Sequence, residues 1–319
     1  MNNKFLTKVI AVIITIILLA LLFTQINLGD VILTIKGLNP IYLIAGFILY
    51  TCSYFFRAWR FHILLNKEVS IKDLFNIGCV HNLMNNLLPA RTGELSYIYL
   101  LKKHHKRTIG EGIATLVVAR IFDFIALGIL FFGALFTVND VPPIIMDALW
   151  IIALIVITLF FLLGMILYRG RSFINLIDTA TKLIHLENNK IAIYCLQKGF
   201  ETADSLEKIN VKKIFVPMVA FSILIWVFNY AMGYLVLVAM RVILPIQVIV
   251  LGMTFTLLST TLPIYGILGF GTNEGFWTLV FVPLGMTVQM AILSGFTYHI
   301  ILIIDYLILG CIGYFSLKH

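Results

Sequence analysis

Six apolar runs dominate this chain: Val9–Phe23, Ile41–Phe56, Ile113–Val138, Ile144–Tyr168, Ile214–Met240 and Ile292–Phe315. A helix crosses the hydrocarbon core of a bilayer in about 20 residues, and most of these runs approach or exceed that length. At such depth the backbone must satisfy its own hydrogen bonds, so the runs are expected to be helical spans. The period-2 alternation of an outer-membrane barrel is not visible. Composition points the same way, with 61% hydrophobic and 12% charged residues, against roughly 25% charged in soluble domains. Nothing between the runs is long enough for a soluble core. The expected fold is therefore all-α and polytopic, with residues 1–319 forming one membrane domain.

The 23 Lys and Arg outnumber the 15 Asp and Glu, for a net charge of +8. In a chain of this class the excess reads as the positive-inside rule. No basic patch with interleaved aromatics suggests nucleic acid. Lys4 and Lys8 precede the first run and place the N-terminus in the cytoplasm. No small-residue cleavage pattern follows, so this run is expected to be an uncleaved span. The link Gln25–Pro40 is weakly charged and expected outside. Arg57, Arg60, His62, Lys67 and Lys72 then mark a cytoplasmic end. There Arg57 and Arg60 read as snorkelling side chains and Trp59 as an interfacial anchor. Residues 169–213 carry apolar positions at helical spacing, interrupted at Asn188-Asn189, and are expected to be amphipathic helices on the inner surface. Lys318 and His319 put the C-terminus in the cytoplasm of a multi-pass cell-membrane protein. The four cysteines, Cys52, Cys79, Cys195 and Cys311, are far apart, with neither a disulfide framework nor a zinc spacing. No metal or cofactor is expected.

Two segments do not fit simple crossings. Basic residues flank both ends of 72–102, so this stretch crosses twice or not at all. Pro89-Ala90-Arg91-Thr92-Gly93-Glu94 breaks it, because Pro removes a donor and Gly loosens the backbone. The arm Leu95–Leu101 is too short to span. A re-entrant hairpin entering from the cytoplasm fits, with Pro89 and Gly93 as the break. The stretch 247–283 repeats the design. One apolar arm ends at Ser259-Thr260-Thr261-Leu262-Pro263; Gly266, Gly269 and Gly271 follow, then Thr272-Asn273-Glu274 and a second arm. Here Pro263, Gly269 and Gly271 form the break, and counting crossings makes this hairpin enter from outside. The expectation is six full spans plus two opposed re-entrant hairpins, with the two halves candidates for an inverted repeat.

Broken helices of this kind leave free N–H groups that suit an anion. Arg91 adds a permanent positive fork that matches phosphate. Glu94 and Glu274 each stand in the first turn of a second half-helix. Either could receive a cationic group, pair with Arg91 or Arg120, or carry a proton. Arg120 and Asp123 share a helix face at i and i+3, and can neutralise each other unless Arg120 reaches Glu94. Ionisable groups at membrane depth are costly and usually functional. The candidate substrate-binding set is Asn86, Arg91, Glu94, Arg120, Asp123, Asn273 and Glu274. Asn82, Asn85, Ser259, Thr260 and Thr261 either line the same route or bond helix to helix.

The pattern Asn86-x-x-Pro89-x-Arg91-x-Gly93-Glu94, then Arg120-x-x-Asp123, then Pro263…Gly269…Glu274, resembles the flippase-like membrane family. That family includes the transmembrane half of bacterial lysylphosphatidylglycerol synthases, the multiple-peptide-resistance proteins, and free-standing relatives. The likeness covers nearly the full chain, and the second motif is the looser one. It implies movement of aminoacylated or otherwise modified phospholipids between leaflets. The soluble aminoacyl-transfer domain of the full-length synthases has no counterpart among these residues, so lipid synthesis is not expected of the chain.

A lipid translocase is thus the first reading, and the chain is not expected to be an enzyme. The alternatives are a membrane-embedded enzyme, with Glu94 as general base on a lipid-linked sugar or phosphate, and a small-anion transporter. The partners expected are membrane lipids, with a homo-oligomer or a separate lipid-modifying enzyme as further candidates.

Overall fold

The computed structural model describes residues 16–88, 93–138, 169–259 and 267–318, with a few positions between 157 and 164. All secondary structure among them is helical: α1 (Ile16–Phe23), α2 (Leu28–Lys36), α3 (Pro40–Leu64), α4 (Ile71–Leu87), α5 (Glu94–His105), α6 (Ile109–Leu135), α7 (169–183), α8 (Lys190–Glu207), α9 (Val211–Ala239), α10 (Ile246–Ser259), α11 (Thr272–Phe281) and α12 (Val288–Ser316). Four of these, α3, α6, α9 and α12, are long and apolar enough to cross a membrane, or five if α1 and α2 are taken as one bent span. They coincide with four of the six expected crossings. The run 144–168 lies almost wholly outside the described residues, as do residues 1–15.

Caps set most of the boundaries. Asn39 accepts the Ile41 N–H ahead of Pro40 at the start of α3. Ser70 accepts the Asp73 N–H before α4, and Thr108 and Glu111 form a reciprocal box before α6. Most of the link Gln25–Pro40 is α2, bent by 79° from α1. The Asp30 carboxylate accepts the Asn27 N–H at 3.0 Å and nucleates that turn. Val31 then buries beside Ile292 and Phe296 of α12.

The helices α4 and α5 pack on each other, and residues 89–92 between them lie outside the described residues. Gly93 sits directly on the backbone of Asn85, and the rings of His81 and Tyr97 meet at 5.8 Å. A β-carbon on Gly93 would come within 2.3 Å of Asn85 backbone atoms, so only glycine permits this approach. At 1.5 Å per residue the arms are about 26 and 18 Å long, short of a bilayer core of roughly 30 Å. The second pair, α10 and α11, is shorter still, about 21 and 15 Å by the same rise. Its break contains Gly269 and Gly271 at φ of +81° and +80°, as the glycine pattern implies, with Leu268 also left-handed. Pro263 lies outside the described residues.

The two quartets α3–α6 and α9–α12 pack by one rule. Exchanging α3 with α9, α4 with α10, α5 with α11 and α6 with α12 maps the principal helix–helix contacts onto one another: α4 on α12 matches α10 on α6, and α3 on α9 maps onto itself. The α3–α9 seam is lined with aromatics, including Phe56 stacked on Phe228 at 5.5 Å. The expected amphipathic section is α7 and α8, with Asn189 capping α8 through the Ile191 and Ala192 N–H groups. It docks on the start of α6, where Glu201 accepts the Gly110 N–H at 3.1 Å.

Candidate functional site

Between the quartets lies a cavity of about 270 Å³, walled by α3, α4, α6, α9, α10, α11 and α12. Its lining sets charged and amide side chains among apolar ones, in a chain whose outer faces are greasy. The long helix α3 contributes Tyr50, Tyr54 and Arg57, which share one face at i, i+4 and i+7. Helix α4 contributes His81, Asn82, Asn85 and Asn86; α6 contributes Arg120 and Asp123; α9 contributes Trp226 and Asn229. From the second hairpin and its long helix come Asn273, Trp277 and His299.

Three polar arrangements hold the walls. Arg60 grips Asp123 with two bonds, Nη1 to Oδ1 at 2.6 Å and Nη2 to Oδ2 at 3.2 Å. The same Nη1 reaches Ser222 Oγ at 2.9 Å, and Trp226 Nε1 donates to Asp123 Oδ1 at 3.1 Å. Arg60 and Asp123 are 2% and 4% exposed, so this is a buried, fork-shaped clamp joining α3, α6 and α9. Arg120 Nη2 donates to Glu94 Oε1 at 2.6 Å, and both side chains remain about one-third open. In the second quartet His299 Nδ1 lies 2.6 Å from Glu274 Oε1, while Asn273 Nδ2 lies 3.0 Å from His299 Nε2. The other Glu274 oxygen accepts the Gly271 N–H at 2.7 Å.

The last two arrangements are counterparts. Each begins with a carboxylate in the first turn of the hairpin's second helix, where the helix dipole favours it. Each ends on a nitrogen in the following long helix, 26 residues on in one case and 25 in the other. Both partners, Arg120 and His299, face the cavity.

Of the residues expected from sequence, Asn86, Arg120, Asp123 and Asn273 line this cavity together. Glu94 reaches it through Arg120. Glu274 is fully buried behind His299 and holds that ring rather than facing the space. The pairing left open for Arg120 resolves toward Glu94, and Asp123 belongs to Arg60 instead. Arg91, Pro89 and the Thr260–Thr261 stretch lie outside the described residues. Arg57 and Arg60 are corrections: neither snorkels at an interface. Arg60 is buried and Arg57 lines the cavity, whereas Trp59 on the opposite face is 42% exposed. The signal was the spacing Tyr50, Tyr54, Arg57, which puts Arg57 on the tyrosine stripe. His299 and Asn229 also escaped the sequence, each standing alone in an apolar run with no spacing to mark it. Among the described residues, no group of three or more His, Cys, Asp or Glu could hold a metal ion.

An all-helical bundle with several apolar helices, two broken ones and a shared polar cavity defines a multi-pass membrane protein. The chain belongs to the family described as the lysylphosphatidylglycerol synthase TM region, whose model matches residues 8–310. It is 26% identical to the UPF0104 membrane protein MJ1595 of Methanocaldococcus jannaschii over 99% of this chain and 96% of that protein. It is 25% identical to MJ1078 of the same organism, covering 42% of this chain and 53% of that protein. No solved structure gives a significant match.

Proposed function

We propose that the protein moves a phosphate-bearing lipid between the leaflets of the cell membrane, by flipping or scrambling it. The observation that carries this reading is the polar cavity between the two quartets, lined by arginine and five asparagines in an otherwise apolar chain. Buried polar surface of this kind is costly in a bilayer and marks a pathway. In this reading Asn86, Arg91, Glu94, Arg120, Asp123, Asn273 and Glu274 form or support the polar route, while the acyl tails stay in the bilayer. The two hairpins are re-entrant from opposite faces and are related as an inverted repeat, which suits alternating exposure of one central site. Both termini are cytoplasmic, and the chain itself carries out no bond chemistry. Membership of a family named for a lipid synthase's membrane region supports a lipid as cargo.

The test is reconstitution of the purified chain into liposomes containing a labelled phospholipid. The expected outcome is equilibration of the label across leaflets well above protein-free vesicles. Absence of movement for several anionic and aminoacylated lipids, with product formed from a sugar donor and a lipid phosphate, would make the protein an enzyme instead.

A further inference from the structure

Of the three arginines that line the cavity, two are matched by carboxylates. Arg60 is matched by Asp123 and Arg120 by Glu94. Arg57 takes no carboxylate among the described residues. It is held by its faces, with Cζ 5.9 Å from the Tyr54 ring and 5.8 Å from the Trp226 ring, and its buried Nε has no hydrogen-bond partner. A buried guanidinium N–H without an acceptor is expensive and calls for an anionic one. The opposite lack stands one helix away: Asn85 Oδ1 on α4 is buried without a donor. Its neighbours are turned the same way. Asn82 gives its amide to Tyr50 Oη at 3.2 Å, and Asn86 and Asn229 give theirs to the backbone carbonyls of Asn82 and Ile225. Their amide N–H groups are thus engaged within the protein.

We infer that Arg57 is the anion seat of this cavity, and that the asparagine wall around Asn85 selects a headgroup rich in hydrogen-bond donors. The ligand is a lipid phosphodiester: one negative charge for the guanidinium that no carboxylate takes among the described residues, with a hydroxyl- or ammonium-bearing headgroup for the asparagines. The aromatic faces of Tyr54 and Trp226 keep the guanidinium in place without consuming its N–H groups. The inference rests on the lipid reading above and names the chemistry of its cargo.

Equilibrium binding to the purified full chain, in detergent, separates the parts. Three short-chain probes serve: phosphatidylglycerol, phosphatidylmethanol (same charge, no headgroup donor) and the uncharged methyl phosphotriester. Wild type is expected to prefer phosphatidylmethanol over the triester by about tenfold, the worth of one charge-assisted hydrogen bond. It should prefer phosphatidylglycerol over phosphatidylmethanol by about threefold or more. R57A should abolish the first preference, N85L the second, and R57K should restore part of the first. R171A, which removes an exposed arginine on α7, should alter neither. A wild-type protein indifferent to phosphate charge overturns the inference without any variant, as does an R57A protein that keeps the preference. Vesicle translocation of labelled phosphatidylglycerol distinguishes the two levels. Binding as described with no translocation overturns the transport reading and leaves the site; translocation unaffected by R57A overturns the site and leaves the transport reading.

Discussion

Asp123 accepts from Arg60 and Trp226 on two other helices, and almost none of it touches solvent. Removing one half of such a pair strands the other charge in a low-dielectric interior, at a cost of about 3–5 kcal/mol. Asp123→Asn should therefore sharply lower the temperature at which the detergent-solubilised protein loses its monodisperse peak. A melting temperature within about 1 °C of wild type would mean the clamp contributes little, as some buried pairs do. The Glu94–Arg120 pair is a contrasting case. With both side chains about one-third exposed, its share of stability is on the order of 1 kcal/mol or less. Glu94→Gln and Arg120→Gln should melt close to wild type yet slow lipid translocation by about tenfold or more. Equal loss in both assays would reassign the pair to structure. The candidacy of Glu94, Arg120 and Asp123 was readable from their presence at membrane depth; who pairs with whom was not. Partners 63 and 26 residues apart meet only once the helices are packed.

Helix α5 exists as a separate arm because Gly93 lets it lie against α4. Gly93→Ala has no room for its β-carbon, and the obstacle is backbone, which cannot swing aside. The arms must part, at about 1–3 kcal/mol by analogy with overpacked cores. The expected result is a folded protein with at least severalfold slower translocation; unchanged transport would show that the hairpin's closeness is dispensable. Helix α8 is fastened to α6 through Glu201. Burial raises that carboxyl's pKa, but the Lys198 ammonium, the Gly110 N–H and Thr108 outweigh it and hold it below its ordinary value. A depressed folded pKa contributes stability above the unfolded pKa and loses it as pH falls through the folded one. The protection of α8 amides against hydrogen exchange, relative to the intrinsic rate at each pH, should therefore fall on acidification through the lower carboxylate range. In Glu201→Gln that acid step should vanish. An identical acid profile in the variant would point to another group. These elements were legible as types: Gly93, the turn at Gly269 and Gly271, and the helices on either side of Asn188-Asn189 all show in the pattern. The α2 helix was not, because Asn27 and Asp30 cap a segment whose hydrophobic face is completed only by α12.

Two quartets with interchangeable contacts make a molecule whose centre belongs equally to both halves. The seam between α3 and α9 passes beside the cavity, and α4 and α10 each cross to pack on the other half's long helix. Sidedness of the whole is testable with native thiols, since Cys195 on α8 and Cys311 on α12 are both free and exposed. A membrane-impermeant maleimide should label Cys195 in inside-out vesicles and spare it in intact cells. Cys311, on a membrane-crossing helix, should react slowly from either side. Labelling of Cys195 from outside would invert the topology and with it the faces from which the hairpins enter.

Sequence alone determined that this chain lives in a bilayer, that it is helical there, and that two of its segments break. Each of these follows from local chemistry: the absence of charge over a membrane's thickness, and the backbone effects of proline and glycine. Tertiary structure alone decided which charged side chains pair with one another and that Arg57 faces the cavity without a carboxylate. That outcome depends on distances between helices far apart in the chain, and a buried arginine clamped to an aspartate reads in sequence much like one facing a cavity three residues earlier.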